Sequence, residues 1–92
     1  MTRPKVLLLE RTTASRDAMQ TLLESENYEV VSSRTIDEGL SEIYEQQDFD
    51  VLITNLRTQR AGDHPKLIAA IRVFQPECLL VAVSDSLNVR EA

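Results

Sequence analysis

The chain has 92 residues, 42% of them hydrophobic and 27% charged, which is typical of one small globular domain. Its net charge of −5 and its scattered Lys and Arg residues argue against direct binding to nucleic acid, which requires clustered basic residues. A cytoplasmic protein that does not enter a membrane is expected, because no apolar run approaches the roughly 18 residues that span a bilayer, no signal peptide is evident, and the single Cys78 excludes an internal disulfide.

Short apolar runs alternate with amphipathic stretches, and this alternation predicts βαβ units with a parallel sheet. The predicted strands are Lys5–Glu10, Tyr28–Ser32, Asp50–Thr54 and Leu79–Val83. Helical spacing of apolar residues predicts a first helix over Ala14–Ser25, a second that runs to Gln46, and a third over Pro65–Phe74. Ser86 is placed to begin a fourth helix.

Two signals define the predicted helices more closely. Thr35 and Glu38 have the spacing of a capping box, in which the Thr hydroxyl accepts from the Glu amide and the Glu side chain reaches back. Leu22 and Leu23 belong to the apolar stripe of the first helix, and Phe74 belongs to that of the third. We expect the stripe of the third helix to face the sheet.

Polar residues follow three of the predicted strands. Glu10 and Arg11 come at the end of the first strand, Asn55 follows the third, and Ser84 follows the fourth. Parallel strands place their carboxyl ends at one edge of a sheet, where open α/β folds bind ligands. The sequence therefore predicts a polar site that brings these four residues together.

This arrangement of strand ends resembles the receiver domain of two-component response regulators. The resemblance implies an α/β fold, a flavodoxin-like doubly wound parallel sheet with strand order 2-1-3-4-5. Residues 1–92 supply about four of the five βα units, so the expected order here is 2-1-3-4, with strand five and helix five absent. Receiver domains act in signal transduction and phosphorelay.

The resemblance also assigns roles to the polar residues. Asn55 stands where the family has the phosphoacceptor aspartate, and an amide cannot be that nucleophile. Glu10 and Arg11 replace the acidic pair that holds Mg²⁺ in the family, so no metal and no other cofactor is expected. Ser84 matches the switch hydroxyl. Arg11 is expected to pair with Glu10 and to donate to Asn55 in place of the metal.

These replacements predict a pseudo-receiver, a receiver module that acts by protein–protein contact and has no catalytic residue. One alternative is a sensor that binds an anion or a nucleotide at the former site, through Arg11, Arg57, Arg60 and Thr58. A second alternative is a phosphorelay receiver with a non-standard acceptor. The expected partner is another protein or a downstream effector domain. We also expect the isolated fragment to form a homodimer, because strand four, Leu79–Val83, would be an apolar edge strand without charge or proline.

Overall fold

The computed structural model describes residues 3–46, 48–55 and 63–83, in which strands and helices alternate. The strands are β1 (Lys5–Leu9), β2 (Glu29–Ser33), β3 (Val51–Asn55) and β4 (Leu79–Val83). The helices are α1 (Thr13–Ser25), α2 (Ile36–Gln46) and α3 (Asp63–Phe74). These elements are the predicted ones, with ends that differ by at most two residues. The predicted fourth helix at Ser86 lies outside the described residues.

The described strands form one parallel sheet in the order β2-β1-β3-β4. This order confirms the predicted α/β, flavodoxin-like architecture. β1 lies between β2 and β3, and its register places Leu9 beside Ser33 on one side and Thr54 on the other. The carboxyl ends of β1 and β3 are therefore neighbours. Among the described helices, none is both long enough and apolar enough to cross a membrane.

The main core lies between the sheet and the helices α2 and α3. Alternate residues of the central strands face these helices, and the core is built from Leu7, Leu9, Ile43, Leu52, Leu67 and Ile71, with Phe49, Ala70 and Cys78 at its margin. Burial raises the pKa of the Cys78 thiol, and the nearby Asp50 carboxylate raises it further. The thiol therefore stays protonated at neutral pH, which makes it a poor nucleophile.

Local hydrogen bonds mark the start of α2 and the end of α1. At the start of α2, the Glu38 N–H donates to Thr35 Oγ1 at 3.1 Å, and the Glu38 carboxylate accepts from the Arg34 N–H at 2.9 Å. The predicted capping box is thus formed, with the Glu side chain reaching one residue further back than expected. Its hydrogen bond from the Arg34 N–H lowers the pKa of Glu38.

Helix α1 ends in a Schellman motif. Asn27 has a φ of 73°, and the Tyr28 N–H donates to the Leu23 carbonyl at 3.1 Å. The Asn27 N–H donates to the Glu24 carbonyl at 3.0 Å, which completes the motif. Asparagine is one of the few residues other than glycine that adopt this left-handed conformation readily, so the chain turns into β2 at this point.

The prediction that the α3 stripe faces the sheet is confirmed at Leu67 and Ile71 and is wrong at Phe74. Helix α1 has no buried residue, and Leu22 is 61% exposed, because α1 covers the β1–β2 side of its sheet face and leaves its outer stripe open. Phe74 is 42% exposed, since it lies in the last turn of α3, beyond the core residues Leu67 and Ile71. Its ring instead meets Tyr44 edge to face, with the ring centroids 4.8 Å apart.

A buried glutamine joins three segments at the amino-terminal edge of the sheet. Gln75 Oε1 accepts from the Phe49 N–H at 2.8 Å, and Gln75 Nε2 donates to the Ile43 carbonyl at 3.0 Å. Ile43 is in the last turn of α2, where carbonyls lack partners within the helix. Gln75 precedes Pro76, which disfavours helical geometry at this position and ends α3. No sequence signal pointed to this residue.

Strand β4 has one neighbour, β3, in the described sheet. It includes Leu79, which is 61% exposed, and it contains no charged residue or proline that would discourage pairing with another strand. Pairing of two copies along β4 stays a prediction. The assignment of residues 1–92 to one domain without its fifth unit also stays a prediction.

Candidate functional site

The carboxyl ends of β1 and β3 carry a buried pair of polar side chains. Asn55 Nδ2 donates to Glu10 Oε1 at 2.7 Å. Both residues are buried: Glu10 is 0% exposed and Asn55 is 5% exposed. A carboxylate can only accept, so the amide must turn its nitrogen toward Glu10. The predicted meeting of Glu10 and Asn55 is therefore confirmed, and it takes the form of a direct hydrogen bond.

The loop that leads into α1 completes the surroundings of Glu10. Its second carboxylate oxygen, Oε2, accepts from the Thr12 N–H at 3.0 Å. Its backbone N–H donates to the Ser33 carbonyl at 3.0 Å, which extends the β1–β2 ladder by one step. Both carboxylate oxygens thus have N–H donors, as a buried carboxylate requires.

The expected pair between Glu10 and Arg11 is wrong. Arg11 is exposed, and no ion pair joins it to Glu10. The physical reason is alternation along the chain: Glu10 points into the sheet edge, so the following side chain points away from it. The two carboxylate oxygens accept instead from the Asn55 amide and from the Thr12 N–H.

A different arginine reaches this edge. Arg16 Nη1, on the first turns of α1, donates to the Glu10 carbonyl oxygen at 3.2 Å, and its residue is half-buried. This contact was not predicted from the sequence. Arg16 lies six residues after Glu10, and a short loop followed by one helical turn can bring two such residues together. This spacing alone is too common to predict a contact.

Four of the predicted site residues fall outside the part of the chain that the structure describes. They are Ser84, Arg57, Thr58 and Arg60. The switch hydroxyl and the anion contacts therefore stay predictions, as does the assignment of Asn55 to the acceptor position. Of the four proposed anion contacts, Arg11 alone falls in the described part of the chain, where it is exposed.

The described side chains at this edge do not form a magnesium site. Mg²⁺ demands near-octahedral oxygen ligands and is held in proteins by carboxylates. Here Glu10 supplies the carboxylate, both of its oxygens already accept N–H groups, and Asn55 presents nitrogen to it. Across residues 3–46, 48–55 and 63–83, no group of three or more His, Cys, Asp or Glu side chains could hold a metal ion.

Next to the pair lies a buried hydroxyl without a hydrogen-bond partner. Thr54 is 0% exposed, and its Oγ1 has no partner. Leaving such a group unpaired typically costs about 1–3 kcal/mol relative to a satisfied hydroxyl. Valine would fill the same space without this penalty, so nothing in the described core explains the hydroxyl.

Solved structures that match this chain are receiver domains. A response regulator receiver protein from Pseudomonas putida matches with a TM-score of 0.77 and 25% identity, over 99% of this chain and 75% of that one. The receiver domain of NtrC4 from Aquifex aeolicus matches with a TM-score of 0.75 and 21% identity, over 97% and 72%. A CheY-like receiver domain protein from Methanospirillum hungatei matches with a TM-score of 0.78 and 20% identity, over 98% and 87%.

The chain has the receiver-domain fold. No protein-family model matches it, and no curated protein matches it. The receiver fold was expected from the strand-end residues, and the four-stranded order agrees with it. In this receiver fold, the Glu10–Asn55 pair lies at the carboxyl edge of the central strands, where doubly wound sheets bind ligands.

The pair should contribute to the stability of this receiver fold. Glu10→Ala is expected to lower the free energy of unfolding by about 2 kcal/mol, because it leaves the buried Asn55 amide and the Thr12 N–H without this acceptor. Urea denaturation at neutral pH measures the loss. Glu45→Ala, at an exposed position of α2, serves as a control and should stay within about 0.5 kcal/mol of wild type.

A double-mutant cycle isolates the hydrogen bond from other effects of Glu10→Ala. Combined with Asn55→Ala, the two changes should cost about 1 kcal/mol less than the sum of the single changes, because each removes the same contact. Strictly additive losses would show that the two side chains do not stabilise each other.

Proposed function

We propose that this chain is an atypical receiver module, a pseudo-receiver, that signals through protein–protein contact and does not accept a phosphoryl group at Asn55. The observation that carries the proposal is the 2.7 Å hydrogen bond from Asn55 Nδ2 to Glu10 Oε1. In the receiver family, Mg²⁺ at this edge is bound by the phosphoacceptor aspartate and by an acidic pair. Here a direct amide–carboxylate contact occupies the same place.

The chemistry of the two groups supports this proposal. Phosphoryl transfer to a receiver needs a carboxylate oxygen that attacks phosphorus and a cation that neutralises the developing charge. The Asn55 amide supplies no anionic oxygen, and its nitrogen is engaged with Glu10. Glu10 is buried, and each of its two oxygens accepts an N–H group, so fewer of its lone pairs remain for a metal ion.

A single resting state follows from this arrangement. An ordinary receiver changes conformation when a phosphoryl group adds charge at the strand ends, because the new charge favours one of two states. The Glu10–Asn55 contact is internal and permanent, so it offers no equivalent change. The module then serves as a constant surface for a partner protein or an effector domain.

Incubation with acetyl phosphate and Mg²⁺ tests the proposal. Intact mass measurement should find no phosphoryl adduct on the wild-type chain, while an ordinary receiver domain treated in parallel gains one. Asn55→Asp alone is expected to stay unmodified, because Arg11 still replaces one acidic residue of the metal site. The double variant Arg11→Asp, Asn55→Asp restores three carboxylates and should bind Mg²⁺ more tightly than either single variant.

A stoichiometric adduct on the wild-type chain would overturn the proposal. Mapping that adduct to a residue other than Asn55 would establish the alternative, a phosphorelay receiver with a non-standard acceptor. The anion-sensor alternative gains no support from the described residues, because Arg11 is exposed and Arg16 Nη1 donates to a backbone carbonyl of the chain itself.

A further inference from the structure

Helices α2 and α3 leave an apolar groove open between them. The α2–α3 groove is lined by Leu40 and Tyr44 of α2 and by Ala69, Val73 and Phe74 of α3, with Lys66 at one end. Its volume is about 390 Å³, and apart from the Lys66 ammonium and the Tyr44 hydroxyl its lining side chains are apolar. The groove lies on the outer face of the helical layer, away from the Glu10–Asn55 pair.

Three of the side chains that line this groove are large, apolar in most of their surface and exposed. Val73 is 71% exposed, Tyr44 is 47% exposed and Phe74 is 42% exposed. Isolated apolar residues on a surface need no explanation, but a contiguous cluster indicates a binding surface. The edge-to-face contact of the Tyr44 and Phe74 rings, 4.8 Å between centroids, joins the α2 wall of the groove to the α3 wall.

The charges beside the groove select the chemistry of its occupant. Helix α2 carries four carboxylates and no basic residue, namely Asp37, Glu38, Glu42 and Glu45. Asp37 is exposed and shares a helical face with Leu40 and Tyr44, at spacings of three and seven residues. The α2 wall is therefore acidic, whereas Lys66 places one positive charge at the α3 wall.

We propose that the α2–α3 groove binds a basic amphipathic helix of a partner protein. A cleft between two parallel helices accepts a third helix through apolar side chains at i, i+3 or i+4, and i+7. Basic residues on the flank of that helix would meet the carboxylates of α2, and an acidic residue would meet Lys66. The proposal rests on the proposed function in one respect, since both assign the module to protein contact.

A second copy of this chain is a poor occupant. α1 carries Arg16 against Asp17 and Glu24, and α2 has no basic residue. The basic residues of α3, Lys66 and Arg72, belong to a helix that itself lines the groove. Two copies that met through the groove would bring their acidic α2 helices together, which like-charge repulsion disfavours. Charge complementarity thus favours a basic partner.

Titration with designed peptides, followed by ¹H–¹⁵N NMR of the full chain, tests the proposal. The first peptide has about 18 residues, long enough to form a helix when bound, with Leu at the anchor spacing and Lys on both flanks. The second keeps the Leu residues and replaces every Lys with Glu. Only the Lys peptide should bind saturably, with the largest amide shifts at Tyr44, Val73 and Phe74.

Two variants, each with an exposed apolar residue replaced by Glu, distinguish binding at the groove from non-specific binding to apolar surface. Val73→Glu changes a groove residue that is 71% exposed, and Leu22→Glu changes a 61% exposed residue on α1. Neither removes a core side chain, so both should fold. Val73→Glu should weaken Lys-peptide binding at least tenfold by removing an anchor contact, whereas Leu22→Glu should leave the dissociation constant unchanged. Lys66→Glu should strengthen it.

Three results would overturn the proposal: no saturable binding of the Lys peptide, equal binding of both peptides, or amide shifts confined to surfaces outside the groove. Amide shifts at the groove that grow with protein concentration in the absence of peptide would instead identify a homodimer interface. The acetyl phosphate experiment does not depend on these outcomes, so failure of the groove proposal leaves the pseudo-receiver proposal to be judged separately.

Discussion

Asn55→Asp is expected to destabilise the fold by about 3 kcal/mol at neutral pH, because it places a second carboxyl group against the buried Glu10 carboxylate. The wild-type amide donates to Glu10 Oε1 at 2.7 Å, in surroundings that are almost fully buried. An aspartate there would place two carboxylates within hydrogen-bond distance. Two like charges this close cannot both remain ionised, so one of them must hold a proton.

The loss should depend on pH in a defined direction. The folded variant holds a proton that the unfolded chain releases at about pH 4, where ordinary carboxyl groups titrate. The folded state therefore binds more protons than the unfolded state, and its stability falls as pH rises above that value. Below about pH 4 the protonated carboxyl can donate in place of the amide, and the difference from wild type should shrink.

Urea denaturation of wild type and Asn55→Asp at pH 4 and pH 7 measures both effects. Asn27→Asp makes the same change at an exposed position, where aspartate also tolerates the left-handed backbone, and it should cost less than about 1 kcal/mol. A variant as stable as wild type at pH 7 would contradict the buried amide–carboxylate contact.

Under the proposed function, Asn55→Asp alone reduces stability and does not allow phosphotransfer. The change becomes tolerable only when a cation offsets the carboxylates. Added Mg²⁺ should therefore stabilise the Arg11→Asp, Asn55→Asp double variant more than Asn55→Asp, a difference that the same denaturation experiment detects.

Gln75→Leu is expected to lower the free energy of unfolding by about 3 kcal/mol, because it leaves two buried backbone groups unpaired. Gln75 is 5% exposed and bonds the Phe49 N–H and the Ile43 carbonyl. Leucine has a similar volume, so the loss of packing is small and the loss of hydrogen bonds dominates. Gln46→Leu is the control, since the Gln46 amide pairs with Glu42 within one helix. It should cost about 0.5 kcal/mol.

Gln75→Glu separates the accepting from the donating contact. Its carboxylate can still accept from the Phe49 N–H, but it cannot donate to the Ile43 carbonyl. At low pH the protonated side chain recovers that donor, so this variant should be closer to wild type at pH 4 than at pH 7. Equal losses at both values of pH would show that the contact with Ile43 contributes little.

Gln75 holds three chain segments together at the amino-terminal edge of the sheet. The end of α2, the segment before β3 and the end of α3 meet at one side chain. Gln75 lies 26 residues after Phe49 and 32 residues after Ile43, and each of those two residues brings a backbone group that would otherwise be buried without this partner. One glutamine provides both the donor and the acceptor.

The amino-acid sequence by itself determined the elements and their order. Apolar periodicity identified β1 to β4 and α1 to α3, and the Thr35–Glu38 spacing located the start of α2, because these signals depend on neighbours within a few residues. The alternation of strands and helices then implied a parallel sheet. The polar strand ends also placed Glu10 and Asn55 at one edge, since parallel strands end together.

Only the tertiary structure decided which groups meet at that edge and which faces stay open. A strand end shows where a side chain starts, but its partner depends on where the next loop and helix lie. For this reason Glu10 bonds Asn55 and Thr12 instead of Arg11, and Arg16 arrives from α1. An apolar stripe likewise shows which side of a helix could be buried. Whether it is buried depends on what packs against it, so Leu22 and Phe74 remain exposed.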